Sequence, residues 1–564
     1  MSDDFKDKPE EDRPKRTVRR PARPATSGRT PSARKNRDGD DDFMTDRGPQ
    51  KKRFSRDRDD NRGRGRGERS VSGRGSDRDG RDSRGYDRRG DDRSQSRPSS
   101  RASAEPVQKQ ENKSLPHAQR LSLMWRALET MSWEDCQLDE ALAQTMRSAS
   151  SHLTEKDKVA IRKGVWGYMR RYRRVLWWLA EAGHTPSLRR SFLVDQVVGL
   201  GASVEDLDRN CRGGKVLLKP LTDNERALLL PLQGKPLNHP DMPEEVRHEC
   251  PDWAYDGLKA VFGERFGEEL DALNEEAPLD LRINPFKMSN EKGEASLRDA
   301  AITALSKQGW KTEALPQTPY ALRCLNFPRS FGKVALYQEG AIEIQDLGSQ
   351  MVAALLQAQP GERIVDFCAG AGGKSLALAP AMENRGQLVL TDVHSKRLQR
   401  SALRLKRAGV FNAERQVLGS ERDPWVKYHK GKFHRVLVDA PCSGTGAWRR
   451  GVDAKWRKDE EDLRELCDLQ GSILTSAARL VRPGGRLVYA TCSLLPAENE
   501  EQISAFLRSR PDFKLVPVSS LWADVFETEC PDHLGEMLRL SPSKDGTDGF
   551  FAAVLQREEQ EKSE

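Results

Sequence analysis

The chain has 564 residues with 95 Lys and Arg against 87 Asp and Glu, a formal net charge of +8. A single hydrophobic core does not serve a chain of that length, so two to four domains are expected. No run of about 18 apolar residues occurs, which excludes a membrane-spanning helix, and the charged opening Met1–Phe5 is unlike the apolar stretch of a secretory leader.

The charge is not evenly spread. Residues 1–110 carry 32 basic and 22 acidic side chains, a net of +10, whereas the remainder holds 63 and 65, a net of −2. Those first 110 residues contain no Leu, Ile, Trp or Cys. They cannot bury enough apolar area to offset an ordering cost of ~1–2 kcal/mol per residue, so residues 1–112 are expected to form a disordered Arg/Gly/Asp-rich tail. Arg62-Gly63-Arg64-Gly65-Arg66-Gly67 and the Arg-Gly units at Arg74 and Arg84 suit contact with RNA phosphates without sequence preference. The interleaved Asp57, Asp59, Asp60, Asp77 and Asp79 suit a solubilising tail equally well.

Composition changes near Leu115. Leu121, Leu123, Met124, Leu128 and Met131, then Leu138, Leu142 and Met146, recur at helical spacing. Thr154-Glu155-Lys156-Asp157 has the form of a capping box and predicts the start of one long helix. Its apolar set (Val159, Val165, Trp166, Met169, Leu176, Trp177, Leu179) reads as core. Its basic set (Arg162, Lys163, Arg170, Arg171, Arg173, Arg174) reads as a solvated or RNA-facing surface. Residues 113–218 are thus expected to be an all-helical domain and 219–275 a Pro-rich connector with short helices. A strand at Leu279–Asn284, a helix over Ser296–Gln308 and a strand at Lys333–Tyr337 predict a small α+β module over residues 276–345.

From Gly361 onward strands and helices alternate, which predicts a doubly wound parallel sheet in a final domain of residues 346–558. The strand Arg363–Phe367 runs into Cys368-Ala369-Gly370-Ala371-Gly372-Gly373-Lys374, a glycine-rich turn where the backbone can approach a ligand at the carboxyl end of the sheet. The next strand, Leu388–Asp392, ends on an acid suited to the two hydroxyls of a ribose. Turn and acid together fit a dinucleotide or S-adenosylmethionine. The absence of G-x-G-x-x-G and the acid Asp366 on the first strand favour the latter. Val436–Asp439 leads into Ala440-Pro441-Cys442-Ser443-Gly444-Thr445-Gly446, and Arg486–Thr491 leads into Cys492-Ser493. Two cysteines and an aspartate are therefore expected at one sheet edge beside the cofactor turn. The nine cysteines include no C-x-x-C pair, so neither a disulfide framework nor a metal site is expected, and a soluble cytoplasmic protein with reduced thiols is.

On these residues, together with Gln345-Asp346-Leu347-Gly348-Ser349-Gln350 and Asp548-Gly549-Phe550-Phe551, the stretch from about Leu115 to Gln556 resembles the RsmB/NOP family of RNA cytosine-5 methyltransferases, in its 16S-rRNA-type branch. The resemblance implies a Rossmann-like class I methyltransferase domain of α/β class, preceded by an RNA-contacting α+β module and a NusB-like RNA-binding helical domain. It also implies roles. Cys492 would be the nucleophile, Cys442 would assist release, and Asp439 would hold the base. The turn Cys368–Lys374 with Asp392 and Asp439 would bind S-adenosylmethionine. The substrate would be a single-stranded or loop cytosine of ribosomal RNA, with tRNA the alternative, and the protein would act as a monomer. Three departures from the family pattern stand out: Ala371 replaces the usual Pro, Gly419-Ser420 stands where an acid near the adenine is usual, and Val452-Asp453 replaces Pro-Asp.

The chemistry explains the residue types. Cytosine C5 is a poor nucleophile until a thiolate adds at C6, and covalent catalysis splits one hard step into easier ones. A free thiol has a pKa of ~8.5, so nearby positive charge is needed, and Lys374 or the pair Arg449 and Arg450 are the candidates. Two rivals remain at this level: a methyltransferase acting on DNA or an exocyclic nitrogen, and a non-catalytic RNA-binding assembly factor.

Overall fold

The computed structural model describes residues 114–133, 135–150, 153–214, 216–288, 296–328 and 330–559. The tail expected over residues 1–112 lies outside them. No helix among the described residues is long and apolar enough to cross a membrane.

The amino-terminal part is helical, with helices His117–Thr130, Leu138–Ser148, Glu155–Arg170, Tyr172–Glu181 and Leu188–Val194 around one core that includes Leu121, Leu128, Ile161, Val165, Tyr168 and Leu179. The capping box forms as its residue types require. Thr154 Oγ1 accepts from the Asp157 amide at 3.2 Å, and the Asp157 carboxylate accepts from the Thr154 amide at 3.1 Å. The single long helix is instead two, broken at Arg171. The carboxylate of Glu249, wholly buried, accepts from the amides of Arg173 and Arg174 at 2.9 and 3.1 Å. Capping by an anion at those amides starts a new helix there. The same contacts remove most of the expected basic surface. Arg171 pairs with Asp195, Arg173 with Asp252 and Arg174 with Glu249, leaving Arg162 and Lys163 as the exposed cations of the set. Val159, expected in the core, is exposed.

Residues 219–275 hold helices Asp223–Leu229, Glu244–Arg247, Asp252–Phe262 and Phe266–Asn274. Their apolar side chains enter two different cores. Leu228, Leu229, Met242 and Val246 complete the helical core. Leu258, Phe262, Phe266 and Leu270 pack with Trp448, Leu494 and Leu495 of the carboxyl-terminal domain. The segment is thereby the seam that joins the two parts of the chain.

The module that follows is a four-stranded antiparallel sheet of β1 (Leu279–Ile283), β2 (Thr312–Ala314), β3 (Ala321–Cys324) and β4 (Ile342–Ile344), in the order β2-β3-β1-β4, with helix Leu297–Ser306. The strand expected at Lys333–Tyr337 is absent. A 3-10 turn at Phe331–Lys333 and a short helix at Ala335–Gln338 stand there, and Phe331 and Val334 reach the module's core. An apolar run of five residues fits a strand or a short buried helix alike.

The last domain is an eight-stranded mixed sheet of β5 (Arg363–Asp366), β6 (Gln387–Asp392), β7 (Ala413–Val417), β8 (Phe433–Asp439), β9 (Val481–Thr491), β10 (Phe513–Val516), β11 (Leu538–Leu540) and β12 (Phe550–Arg557). The order β10-β12-β9-β8-β5-β6-β7 is parallel through β9-β8-β5-β6-β7, and β12 runs antiparallel to β9. Register decides the site. Asp439 lies opposite Ala490, Asp366 opposite Leu437, and Phe551 opposite Thr491. The residues following β8 and β9 and those opening β12 therefore meet at one edge.

These three loops close on a glycine contact. Gly549 N donates to Gly446 O at 2.9 Å, and Gly446 N donates to Cys492 O at 2.9 Å. A Cβ at Gly446 would stand 2.2 Å from the Gly549 carbonyl oxygen, a backbone atom with no rotamer to move. Gly446→Ala is expected to cost roughly 1–3 kcal/mol from overpacking. Denaturant titration checks it, and a variant as stable as the parent would show that the loops separate freely.

Candidate active site

Cys442 follows β8 and Cys492 follows β9, and their sulfurs are 3.4 Å apart. Both side chains are part-exposed, and all nine cysteines are free thiols. The hydrogen bond with Cys492, then burial, push the Cys442 thiol well above its ordinary range. The two thiols are thus within hydrogen-bonding distance of each other, and the contact favours the protonated form of Cys442.

Asp439, the last residue of β8, accepts from Lys374 Nζ at 2.7 Å. Burial alone would lower the lysine's pKa. The charge and hydrogen bond of Asp439, with Cys492 and Asp366 nearby, raise it instead. Lys374 therefore stays cationic beside Cys492, and its ammonium also sits 5.3 Å from the centre of the Phe550 ring. Arg449 and Arg450 do not share this role. Arg449 Nε bonds to Asp548 at 2.5 Å, and Arg450 bonds to Asp548 and, at 2.9 Å, to Asp346. Their charge is spent on a near-buried cluster that ties the Asp346 and Asp548 motifs together. Of the two expected sources of a thiolate-favouring field, Lys374 is the one in place.

The cofactor edge is built from β5 and β6. Gly370 and Gly372 take φ of 55° and 78°, a conformation that side chains rarely adopt, and the turn opens the helix Gly373–Ala381. Asp392 accepts from the Gly370 amide at 2.8 Å and the His394 amide at 2.7 Å, so the acid also shapes the turn. Each of its oxygens keeps a lone pair for a hydroxyl. A Cβ at Gly370 or Gly373 would meet nothing within 4 Å, so open space lies above the backbone there. Beneath it Asp366, wholly buried, takes one hydrogen bond from Ser375 Oγ at 2.6 Å and leaves Oδ1 without a partner. A cradle of this kind fits a ligand carrying a ribose and a cationic amino-acid end. Cys368 belongs to the cradle as a spectator, since burial followed by the charges of Asp366, Asp439 and Asp392 drives its thiol well above the ordinary range. Asp423, four residues past Gly419, accepts from the Trp425 amide at 2.8 Å to cap the helix Pro424–Tyr428 and from the Gly419 amide at 2.7 Å.

One buried acid escapes a reading by motif. Glu498, wholly buried in the turn Pro496–Glu498 after β9, bonds to Ser443 and Ser493, the residues that follow the two cysteines. The available signal was Ala497-Glu498-Asn499-Glu500 directly behind the Thr-Cys-Ser strand end.

Two outcomes follow from this geometry. Asp392→Ala should weaken cofactor binding by ~1–3 kcal/mol, the cost of a lost charge-assisted hydrogen bond, as calorimetry would measure. Equal affinity would place the ribose elsewhere. Burial raises the Asp366 carboxyl to about 7 from an ordinary 3.8. The folded state then holds a proton that the unfolded state has already lost, so this group makes stability fall as pH rises from about 4 to about 7 and flatten above. Asp366→Asn should remove that decline from a pH series of unfolding free energies.

A family model described as 16S rRNA methyltransferase RsmB/F matches residues 353–556, and one described as the RsmF/B-like ferredoxin-like domain matches residues 250–326. The ribosomal RNA small subunit methyltransferase B of Photorhabdus laumondii is 34% identical over 311 residues, 55% of this chain and 66% of the relative. That of Sodalis glossinidius is 35% identical over 320 residues, 56% and 68%. The chain thus spans about two thirds of the length of these curated relatives. The crystal structure of PH0851 has a TM-score of 0.63 at 24% identity, covering 79% of this chain and 100% of that one, a likeness of fold alone. S-adenosylmethionine is the cofactor of this methyltransferase family. With relatives at this identity and coverage, and family models over both its sheet-bearing parts, the chain belongs to the RsmB/F methyltransferase family.

Proposed function

We propose that the protein transfers a methyl group to C5 of a cytosine in ribosomal RNA, by way of a covalent bond between Cys492 and C6 of the base. The observation that carries this reading is the pair of sulfurs 3.4 Å apart beside the Lys374–Asp439 ion pair. Methylation of an exocyclic nitrogen would require no thiol, so two at the sheet edge favour the carbon. The names of the relatives favour ribosomal RNA of the small subunit.

Each residue then has a task. Bound S-adenosylmethionine supplies an electrophilic methyl carbon. Cys492, with Lys374 nearby, adds to C6 as the thiolate, and the electron pair of the C5–C6 double bond shifts through the ring toward N3. The Lys374–Asp439 pair supplies the proton at N3, which leaves C5 an enamine carbon able to accept the methyl. Bonding to C6 turns Cys492 into a thioether, removing the acceptor and the negative charge that hold the Cys442 proton. Cys442 releases that proton to solvent and takes the one on C5. The C5–C6 double bond re-forms, Cys492 leaves as a thiolate, and N3 returns its proton. A base must leave its stack to reach two recessed sulfurs, which favours single-stranded or loop RNA. In the helical region, Arg162, Lys163, Trp166, Arg170 and Glu276 line a cleft of about 230 Å³. Two exposed cations beside an indole suit a stacked base and its phosphate.

The cysteines should separate in a mutant series. Cys442→Ala should methylate once and then hold its RNA through denaturing electrophoresis. Cys492→Ala should form no adduct and no 5-methylcytosine, and the double variant should lose the trapped complex. Accumulation of adduct by Cys492→Ala would exchange the two roles, and full activity in both single variants would end the covalent reading. Bisulfite sequencing of RNA from a deletion strain identifies the cytosine, and loss of a tRNA rather than a ribosomal mark would replace the substrate.

A further inference from the structure

The carboxylate of Glu498 is wholly buried, and its hydrogen-bond donors are all neutral groups. Its Oε1 accepts from the Ser443 amide at 2.7 Å and from Gln470 Nε2 at 2.9 Å. Its Oε2 accepts from Ser443 Oγ at 2.5 Å and from Ser493 Oγ. Gln470 Nε2 also donates to Pro441 O at 2.9 Å, and the Glu498 carbonyl accepts from Tyr489 OH at 2.8 Å. One side chain thus grips the residue after each cysteine, and through Gln470 the residue before Cys442. The two serine hydroxyls are drawn to 3.3 Å from each other, close to the 3.4 Å between the neighbouring sulfurs.

A buried acid with no cation is a costly way to join two loops. A neutral amide would join them at lower desolvation cost, but it would turn its NH2 group toward two of the four donors. Only a carboxylate accepts on both atoms from all four. We propose that Glu498 is a positioning residue, setting the distance and orientation of the Cys442 and Cys492 sulfurs through Ser443 and Ser493. The loops remain joined without it, because Leu494 N donates to Thr445 Oγ1 at 2.7 Å and Gly446 N donates to Cys492 O at 2.9 Å. Glu498 therefore governs alignment rather than folding. Its role in turnover rests on the proposed thiol chemistry, whereas its hold on the two sulfurs can be read without RNA.

The test uses the full chain with Glu498→Gln and Glu498→Ala. Diamide oxidises two adjacent thiols to a disulfide, taking up both thiol hydrogens and becoming a hydrazine, so the rate of Cys442–Cys492 bond formation reports their alignment. Peptide mass spectrometry should show that rate about 10-fold lower in Glu498→Gln and lower still in Glu498→Ala. With RNA, kcat should fall about 10- to 100-fold, the scale of a sub-ångström to ångström misplacement, with KM for cofactor and RNA within about 2-fold of the parent. If the Ala variant does not fold, the Gln variant carries the test. Parent-like cross-linking in folded Glu498→Gln overturns the assignment, as does a loss confined to KM. A parent protein that cross-links rapidly but leaves RNA unmethylated would instead remove the proposed reaction and leave the positioning comparison standing.

Discussion

Parallel pairing of β8 with β9 is the constraint from which the rest of the site follows. With Asp439 opposite Ala490 and Ala440 N donating to Ala490 O at 2.9 Å, the chain leaves both strands at the same height. Three residues past Asp439 and one past Thr491, the two cysteines arrive side by side. β5 lies against β8, so the glycine turn and Lys374 open next to them, and antiparallel β12 delivers Phe550 beneath the lysine. No element has to reach far. Neighbouring strands that end at one edge bring a cofactor cradle and a reactive thiol together without long loops.

Charge is handled differently at each place the edge needs it. Lys374 meets Asp439 with room left for a substrate, because the Asp439 side chain is a third exposed whereas that of Lys374 is 9% exposed. Arg449 and Arg450 meet Asp346 and Asp548 with little exposure at the acids, and their charges are neutralised where they stand. The first arrangement leaves an ion pair at a partly exposed surface. The second fixes the Asp346 and Asp548 motifs at the seam of module and catalytic domain. Two ion-paired clusters thus differ in the exposure of their acids.

The catalytic edge was legible because its signals are local. A short apolar strand followed by Cys-Ala-Gly or Pro-Cys-Ser can be read without knowing what lies across the sheet, and those expectations describe the observed placement of Cys442, Cys492, Asp439 and Asp392. The basic run from Arg162 to Arg174 was misleading for the opposite reason. Its partners Asp195, Glu249 and Asp252 lie 24 to 79 residues away, and no periodicity reveals them. The helix break at Arg171 and the strand expected at Lys333–Tyr337 failed in the same way, through tertiary contacts that override a local pattern. Glu498 went unread because the run Ala497-Glu498-Asn499-Glu500 gives no local sign of the four donors, which come from Ser443, Gln470 and Ser493.

The departure at Val452-Asp453 gains meaning from the same contacts. Val452 is buried in the helical core, Asp453 accepts from the Leu138 amide at 3.3 Å and Arg457 Nε at 2.7 Å, and Trp456 Nε1 donates to Met169 O at 3.4 Å. Lys455, buried between the rings of Trp448 and Trp456, donates to Asn274 at 3.1 Å, and burial brings its pKa down to about 8. The segment after Cys442 is therefore held at both ends, by Glu498 beside the thiol and by the helical region ten residues on. A side chain that enters another core needs shape and apolarity there, which Val452 supplies. Substitution at this position trades rigidity within the loop for an anchor outside it. The loop after Cys442 and the helical region are consequently fastened to each other by packing and hydrogen bonds.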